Sequence, residues 1–310
     1  MRSNITSTIA MANKFPLCSR MNRSFVLITL LALRPSCIGL AQSAWLPAEQ
    51  QFIATPGFSF STFDRFWMGR TKISNPPNGK SLDQYTGFVS LEYGILDNLA
   101  ADATVGYTAT DTDAFGGNAS DKGLADTMLG LRYRLLDEHN PSCPWAPTIS
   151  LRAGAVIAGT YDSNKPFSAG DGAHAFEGSL LLGKAFGDSG FGLYGEIGYR
   201  VRESPVPDDI FGRAGAYQQL GPVTVAAGYR HVQSRSGLDI GGPGFDPAAG
   251  RSHGFPAVKE INQLFEGGVS FTDKAGRSYY FSFIKSIDGR NTGDKMVYLL
   301  TVSLPFGGTR

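Results

Sequence analysis

Apolar and polar residues alternate with a period of two along most of this chain, from about residue 50 to the end. In the segment 296–306, apolar side chains recur at every second position, and Thr301 and Ser303 lie between them. Successive side chains of a β-strand point to opposite faces, so each such segment has one apolar face and one polar or small face. The pattern predicts twelve strands at about 50–66, 82–96, 99–112, 125–136, 147–161, 174–186, 191–203, 210–220, 222–235, 258–272, 278–288 and 295–306. The alternation breaks after Thr62, which predicts a β-bulge there.

The connections between these strands alternate between short turns and longer polar loops. Short turns fall at 97–98, 187–190, 220–222 and 273–276, and long loops fall at 68–81, 113–124, 162–173, 204–209, 236–257 and 289–294. The connection 137–146 is the one long member of the short set. Bacterial outer-membrane barrels combine an even number of antiparallel strands with short periplasmic turns and longer outer loops. The predicted fold class is therefore all-β, a transmembrane antiparallel β-barrel of about twelve strands.

Aromatic residues on the apolar faces cluster near the two ends of the strands. They form two predicted belts, comprising Tyr93, Tyr133, Phe271 and Phe306 near the short turns and Tyr107, Tyr199 and Tyr229 near the long loops. Amphipathic rings favour the two interfaces of a bilayer. The alternative is a soluble β-sandwich or secreted barrel, whose outer face would carry more charge than the Gly, Ser and Thr seen here.

The N-terminal region has the pattern of an export signal. Arg20 and Arg23 precede a nine-residue apolar run at 25–33, and small residues at Gly39 and Ala41 follow it. That run is too short to span a bilayer but fits the core of a signal peptide. We expect a signal peptide at 1–41, with Met11 and Met21 as alternative starts, and a single barrel domain at 42–310. The expected location is the cell outer membrane of the Gram-negative type.

Composition and charge exclude several classes of function. The chain has 310 residues, 28 basic and 27 acidic, so its formal net charge is +1, which argues against a nucleic-acid partner. The three cysteines show no metal-ligand spacing, and we expect no metal and no cofactor. The expected partners are outer-membrane lipid, small-molecule solutes and, during biogenesis, the barrel-assembly machinery.

One segment resembles a known family. The residues from Gly123 to Leu136 resemble a motif of the outer-membrane family named for the MetA pathway of phenol degradation, roughly Gly-x-x-Asp-x-x-Leu-Gly-x-Lys/Arg-Tyr-Arg-x-Leu. The matching positions are Gly123, Asp126, Leu129, Gly130, Arg132, Tyr133, Arg134 and Leu136. The resemblance implies a channel or transporter for hydrophobic or aromatic compounds. The motif covers one strand, and the residues Gly307–Arg310 depart from the usual barrel ending at an aromatic residue.

Charged residues on the non-apolar faces form the candidate solute pathway. They are Glu92, Asp102, Arg132, Arg134, Arg152, Glu177, Glu196, Arg200, Arg213, Arg230 and Glu266, with Asp126 and Arg202 on the same faces. Rings of arginine favour anionic groups, so the sequence predicts a channel for passive passage of small solutes, with the loop 236–257 as a gate. The alternative is a structural or surface-interaction barrel whose lumen is filled by Arg–carboxylate pairs.

A lipid-modifying barrel enzyme is the minor alternative. It would need a His–Ser pair on one face, and the candidate His231 lies close to Ser234 and Ser236. Only residues two apart share a face of a strand, so the same-face neighbour of His231 is Gln233 rather than a serine. We therefore expect no enzymatic activity and no catalytic residues.

Overall fold

The computed structural model describes residues 43–75, 79–112, 119–140, 145–165 and 168–307. The predicted signal peptide, with its alternative starts Met11 and Met21, lies outside the described residues. The strands are β1 Gln51–Phe63, β2 Arg65–Met68, β3 Thr71–Ser74, β4 Leu82–Leu96, β5 Leu99–Thr112, β6 Ala119–Leu124, β7 Thr127–Leu136, β8 Thr148–Ile157, β9 Ala175–Ala185, β10 Phe191–Arg202, β11 Asp209–Leu220, β12 Val223–Ser234, β13 Ile261–Thr272, β14 Ser278–Arg290 and β15 Met296–Gly307. Three short 3₁₀ turns occupy Gly187–Ser189, Pro247–Ala249 and Phe255–Ala257.

The strands form a closed antiparallel barrel. From β7 to β15 each strand pairs with the next one in the chain, β5 pairs with β4 and β7, and β1 pairs with both β4 and β15, with Phe52 opposite Phe306, which closes the ring. Strands β6 and β7 share one of the twelve positions, because β6 pairs with the outer half of β5 and β7 pairs with its other half. The predicted twelve-stranded antiparallel barrel is confirmed. Among the described residues, none of the helical segments is long and apolar enough to cross a bilayer.

The two faces of the barrel wall reverse the usual placement of apolar and polar residues. On the outer surface, Leu131 and Leu300 are 53% and 56% exposed, whereas Thr148 and Ser150 on the inner face have no exposed surface. Hydrocarbon leaves no water to bond to bare backbone groups, and a closed ring of strands satisfies all of them internally. The outside of this barrel is thus built for lipid and the inside for polar groups.

All seven residues of the two predicted aromatic belts lie on the exposed outer surface. Their exposed fractions run from 39% for Tyr229 to 53% for Phe306. Phe52 packs against Phe306 across the closing seam, with ring centroids 6.2 Å apart, and Phe271 lies 6.4 Å from Tyr279. The rings therefore form contacts along the wall in addition to their outward exposure.

The predicted bulge after Thr62 is replaced by a break and a separate hairpin. Strand β1 ends at Phe63, and β2 and β3 pair with each other, while a single bridge joins Phe66 of β2 to Gly293 between β14 and β15. Trp67 on β2 is only 4% exposed, and its backbone N–H donates to the carbonyl of Thr292. The aromatic residues that broke the alternation therefore pack against the outer end of the barrel, which periodicity alone does not reveal.

Two other boundaries also differ from the sequence prediction. Strand β8 ends at Ile157 rather than near 161, and β6 forms within the predicted loop 113–124. The strand β6 precedes a break at Ala125 and Asp126, where the Ala125 N–H donates to the carbonyl of Gly106. The break divides the predicted strand 125–136 from an outer extension of the barrel wall.

Candidate functional site

A continuous network of arginines and carboxylates runs across the inner faces of β4 to β11. Arg132 pairs with Glu92, and its Nε lies 3.3 Å from Oδ1 of Asp102. Asp102 Oδ2 also lies 2.9 Å from Nη2 of Arg152, which in turn bonds to Glu177. The side chains of Arg132, Arg152, Asp102 and Glu177 are at most 3% exposed. Because an unpaired buried charge costs several kcal/mol, this alternation of charge is what makes the network tolerable.

The network continues toward the outer end of the barrel. Nε of Arg200 lies 2.9 Å from Oε2 of Glu177, and its Nη1 lies 3.7 Å from Oδ2 of Asp209. Arg202 pairs with both Asp209 and Asp171, the latter in the connection between β8 and β9. A single electrostatic path therefore links the middle of the lumen to an outer loop.

A second cluster lies beside the first. Nε of Arg213 is 3.2 Å from Oε2 of Glu196, and the hydroxyl of Ser179 donates to Oε1 of the same carboxylate over 2.8 Å. Arg230 pairs with Glu266, and the hydroxyl of Tyr194 donates to Oε1 of Glu266 over 2.9 Å. The two clusters leave the inner faces of β14 and β15 to neutral hydroxyl and apolar groups such as Ser282 and Leu299.

Arg134, although predicted for the same pathway, lies apart from both clusters. Its Nη1 lies 3.1 Å from Oδ2 of Asp137, and its Nη2 donates to the carbonyl of Asp97. Both partners belong to the short-turn end of the barrel. Desolvation by burial acts to raise the pKa of Asp137, but the hydrogen bonds with His139 and the Arg134 guanidinium outweigh it, so the pKa lies below its usual value.

Gly130 makes the close approach of the network possible. A Cβ at this position would lie 2.6 Å from both Nη2 of Arg152 and Oδ2 of Asp102. Gly130 faces Asp102 on β5 and Gly154 on β8, so the guanidinium of Arg152 crosses the space that side chains would fill. Gly130 and Arg132 both belong to the 123–136 motif, so two positions of that motif lie at the centre of this network.

Residues 43–50 fold into the short-turn end of the barrel. Ala44 and Leu46 are each 2% exposed. Nη1 of Arg132 donates to the Ser43 carbonyl over 3.0 Å, and the Ser150 hydroxyl donates to the Ala44 carbonyl over 2.7 Å. The first described residues are thus bound directly to the charged network. We call residues 43–50 the N-terminal segment.

Trp45 anchors this segment to the opposite side of the lumen. Its indole N–H donates to Oε1 of Glu138 over 2.7 Å, and its ring lies edge-on to Tyr217 with centroids 6.1 Å apart. A Cβ on Gly183 would lie 2.6 Å from the same indole ring, so the glycine leaves space for Trp45. The N-terminal segment therefore spans the lumen and occupies it at this end.

A cavity of about 410 Å³ lies at the outer end, among the long connections. Its larger apolar lining residues are Phe63, Phe66, Leu82, Ile240, Phe255 and Val258. Its charged lining consists of Lys165, Asp171, Glu260 and Lys295. Small-molecule sites in proteins have similar volumes and the same combination of an apolar wall with a few polar groups.

The connection between β8 and β9 is held in place over this cavity by Asp126 of the motif. The Tyr161 hydroxyl donates to Oδ1 of Asp126 over 2.6 Å, and the Gly159 N–H donates to the same oxygen over 2.9 Å. The Tyr161 oxygen also accepts from the Gly172 N–H. Burial, followed by the hydrogen bond to Asp126, raises the pKa of Tyr161, so this phenol remains a donor.

The loop 236–257, which the sequence predicts as a gate, covers the cavity together with the connection between β8 and β9. Asp239 accepts two hydrogen bonds from Arg290, of 2.8 and 2.6 Å, and one of 2.8 Å from Asn291. These hydrogen bonds lower the pKa of Asp239 to about 2. Asn164 donates to the carbonyl of Pro247 over 2.9 Å, which joins this loop to the connection between β8 and β9.

His231, the candidate residue for a lipid-modifying enzyme, has no serine among its hydrogen-bond partners in the described part of the chain. His231 lies 3.4 Å from the Tyr229 hydroxyl and 3.3 Å from Oε1 of Gln233. In the ranges that the structure describes, no group of three or more His, Cys, Asp or Glu residues could hold a metal ion.

Sequence reasoning missed three inward tyrosines and the N-terminal segment. Tyr194, Tyr217 and Tyr280 are at most 9% exposed. Tyr194 has the same alternation parity as Glu196, a signal that could have identified it as inward. For the N-terminal segment, the only signal is a short apolar sequence around Trp45 before the first strand.

Comparison with known proteins identifies the fold. No family model and no curated protein matches the chain, so the resemblance of the 123–136 motif stays a prediction. Among solved structures, the COG4313 outer membrane channel from Pseudomonas putida F1 is similar with a TM-score of 0.66 at 12% identity, over 86% of this chain and 100% of that one. The β domain of the Bordetella autotransporter BrkA gives a TM-score of 0.47 at 15% identity, covering 83% of this chain and 100% of its own. The P. putida toluene transporter TodX gives 0.41 at 10% identity, covering 86% and 92%. The chain thus has the fold of outer-membrane barrels.

Proposed function

We propose that this protein is an outer-membrane channel for the passive passage of small solutes, including hydrophobic and aromatic ones. The observation that carries the proposal is the pairing of an apolar outer surface with an inner surface whose charges run from the mid-lumen to the outer end. A polar inner surface of this kind is typical of barrels whose lumen admits water and polar solutes. The COG4313 protein of Pseudomonas putida F1, which shares this fold, is an outer membrane channel.

The solute class is inferred from the outer cavity and from the motif. Phe63, Phe66 and Phe255 offer aromatic surface to a ring, and Asn291 and Lys295 offer polar groups at the same cavity. A site of this composition favours amphipathic small molecules over wholly polar ones. The resemblance to the family named for phenol degradation supports the same class.

We infer that the N-terminal segment obstructs the channel at the short-turn end. Its contacts to Arg132, Ser150 and Glu138 are a handful of hydrogen bonds rather than strand pairing. Passage therefore requires this segment to leave the lumen, while the outer loops 158–174 and 235–260 control entry from the other side.

Conductance across planar bilayers tests the proposal. Purified, refolded protein should give single-channel openings, and liposomes containing it should admit benzyl alcohol faster than protein-free liposomes. Replacing Arg132, Arg200 and Arg230 with glutamine should shift the reversal potential toward lower anion preference. Absence of ion and solute flux, in the wild type and in a variant with a weakened N-terminal segment, would refute the channel.

The filled-lumen structural barrel is the second candidate. The observation that favours it is the near-complete pairing of the inner charges, with Arg132 fully buried. The same bilayer experiment separates the two, because a structural barrel conducts in neither form.

A further inference from the structure

Three basic side chains converge on one buried carboxylate at the outer end of the barrel. Asp294, between β14 and β15, is 2% exposed at its side chain. Its carboxylate oxygens lie 3.2 Å from Nη2 of Arg65, 3.0 Å from Nζ of Lys72 and 2.7 Å from Nζ of Lys285. The three basic side chains remain 52%, 36% and 33% exposed, so their remaining hydrogen-bond donors are open to a ligand. We call these four residues the Asp294 cluster.

The cluster lies at the edge of the lipid-facing surface. Lys285 has the same parity on β14 as Phe281 and Phe283, which are 42% and 37% exposed on the outside of the barrel. Its paired residues on the two adjacent strands are Phe265 on β13 and Met296 on β15. A lysine within an apolar outer row bends its ammonium toward the nearest polar layer, and here that layer is the outer end.

The hairpin of β2 and β3 supplies the other two cations. Lys72 is also held over the ring of Trp67, with Nζ 4.3 Å from the ring centroid. Arg65 has a second, weaker partner, Asp64, at 3.7 Å. Arg70, in the turn of the hairpin, has no carboxylate within ion-pair distance among the described residues. The three cations of the cluster thus share two carboxylates, those of Asp294 and Asp64, which leaves a surplus of positive charge.

We propose that the Asp294 cluster binds the phosphate group of an outer-leaflet lipid. A phosphate monoester carries nearly two negative charges and three acceptor oxygens, which matches the open donors of Arg65, Lys72 and Lys285. Acyl chains attached to such a headgroup would lie along the apolar row of Phe281 and Phe283. Asp294 holds the three cations together before the phosphate arrives, so the lipid orders few side chains when it binds.

Binding of lipid A to the detergent-solubilised barrel tests this proposal. Diphosphoryl lipid A should bind and raise the unfolding temperature, whereas its dephosphorylated form should bind much more weakly. Since a basic residue near an anionic lipid surface contributes about fivefold in affinity, K72Q and K285Q should each weaken binding about fivefold, and the double variant about 25-fold. The variants K72R and K285R should retain most of the affinity.

Lys274 provides the matched control, because it is an exposed lysine in the short turn at the opposite end of the barrel. K274Q should bind diphosphoryl lipid A as the wild type does. Heat-modifiable migration on gels shows whether each variant is folded, so a folding defect is distinguishable from lost binding. Equal affinity of the wild type and the K72Q/K285Q double variant, both folded, would overturn the proposal.

Inorganic phosphate and acyl-chain-free lipid A headgroup distinguish the possible sources of the phosphate. If either binds as tightly as intact lipid A, the site takes a soluble phosphate and the lipid assignment is wrong. Tight binding of the intact lipid alone supports an outer-leaflet lipid. None of these measurements depends on ion flux, so they test the lipid site independently of the proposed channel function.

Discussion

Trp45→Ala should release the N-terminal segment from the lumen. The indole contributes an edge-to-face pair with Tyr217, worth about 0.5–1.5 kcal/mol, and a hydrogen bond to the Glu138 carboxylate, worth about 1.5–3 kcal/mol. Their loss lowers the free energy that holds the segment by about 2–4 kcal/mol. Because each 1.4 kcal/mol is a factor of ten, the population of the released segment should increase by a factor between about 30 and several hundred.

The assay is single-channel recording in planar bilayers, with the open probability as the readout. Trp45→Ala should open far more often than the wild type, and hydrogen exchange should show faster exchange of the backbone amides at 43–50. Trp145→Ala is the matched control, because Trp145 is 80% exposed in the connection between β7 and β8. A folded Trp45→Ala protein that opens no more often than Trp145→Ala would refute the assignment of this segment as the closure.

Three other predictions concern single residues of the network and the loops. Gly130→Ala should lower the free energy of unfolding by about 1–3 kcal/mol in urea titration, because its Cβ would enter the ion-pair network. Gly178→Ala is the control: its Cβ would lie 3.9 Å from its nearest contact, so it should lower the free energy of unfolding by less than about 1 kcal/mol. Because the pKa of Asp239 is lowered to about 2, its hydrogen bonds should hold the loop 236–257 fully above about pH 4 and release it as the pH falls toward 2. Proteolysis of the loop should therefore increase over this range, and Asp239→Asn should give the same cleavage at pH 7. Cleavage that does not change with pH would contradict this prediction. Tyr161→Phe should increase hydrogen exchange in 158–174 without altering strand amides, since it loses the bond to Asp126; unchanged exchange would contradict this.

The barrel itself could be predicted from the sequence because its strands are amphipathic with a strict period of two. Strand β15, predicted at 295–306, runs from Met296 to Gly307, and β5 was predicted with its observed bounds. Contact with lipid requires one apolar face on every membrane-spanning strand, so each strand carries the alternating pattern in its own local sequence.

The site could be predicted only in part, because pairing depends on contacts between distant strands. Periodicity placed Arg132, Arg152 and Glu177 on one type of face, but it does not say that Arg152 bridges Asp102 and Glu177. It also grouped Arg134 with them, although Arg134 lies beyond the short-turn end of the network. The hairpin of β2 and β3 was missed because its aromatic residues pack on the barrel end rather than on a face of a strand.

The closing seam between β1 and β15 has a kinetic consequence. Phe52 and Phe306 are neighbours in space yet separated by about 250 residues of chain, whereas every other seam joins adjacent or nearly adjacent segments. The entropy of bringing the two ends together must be met before that last ladder of hydrogen bonds forms, so ring closure should be the slowest step of assembly. Until it occurs, β1 exposes a bare backbone edge, and a growing barrel of this kind depends on something to shield that edge.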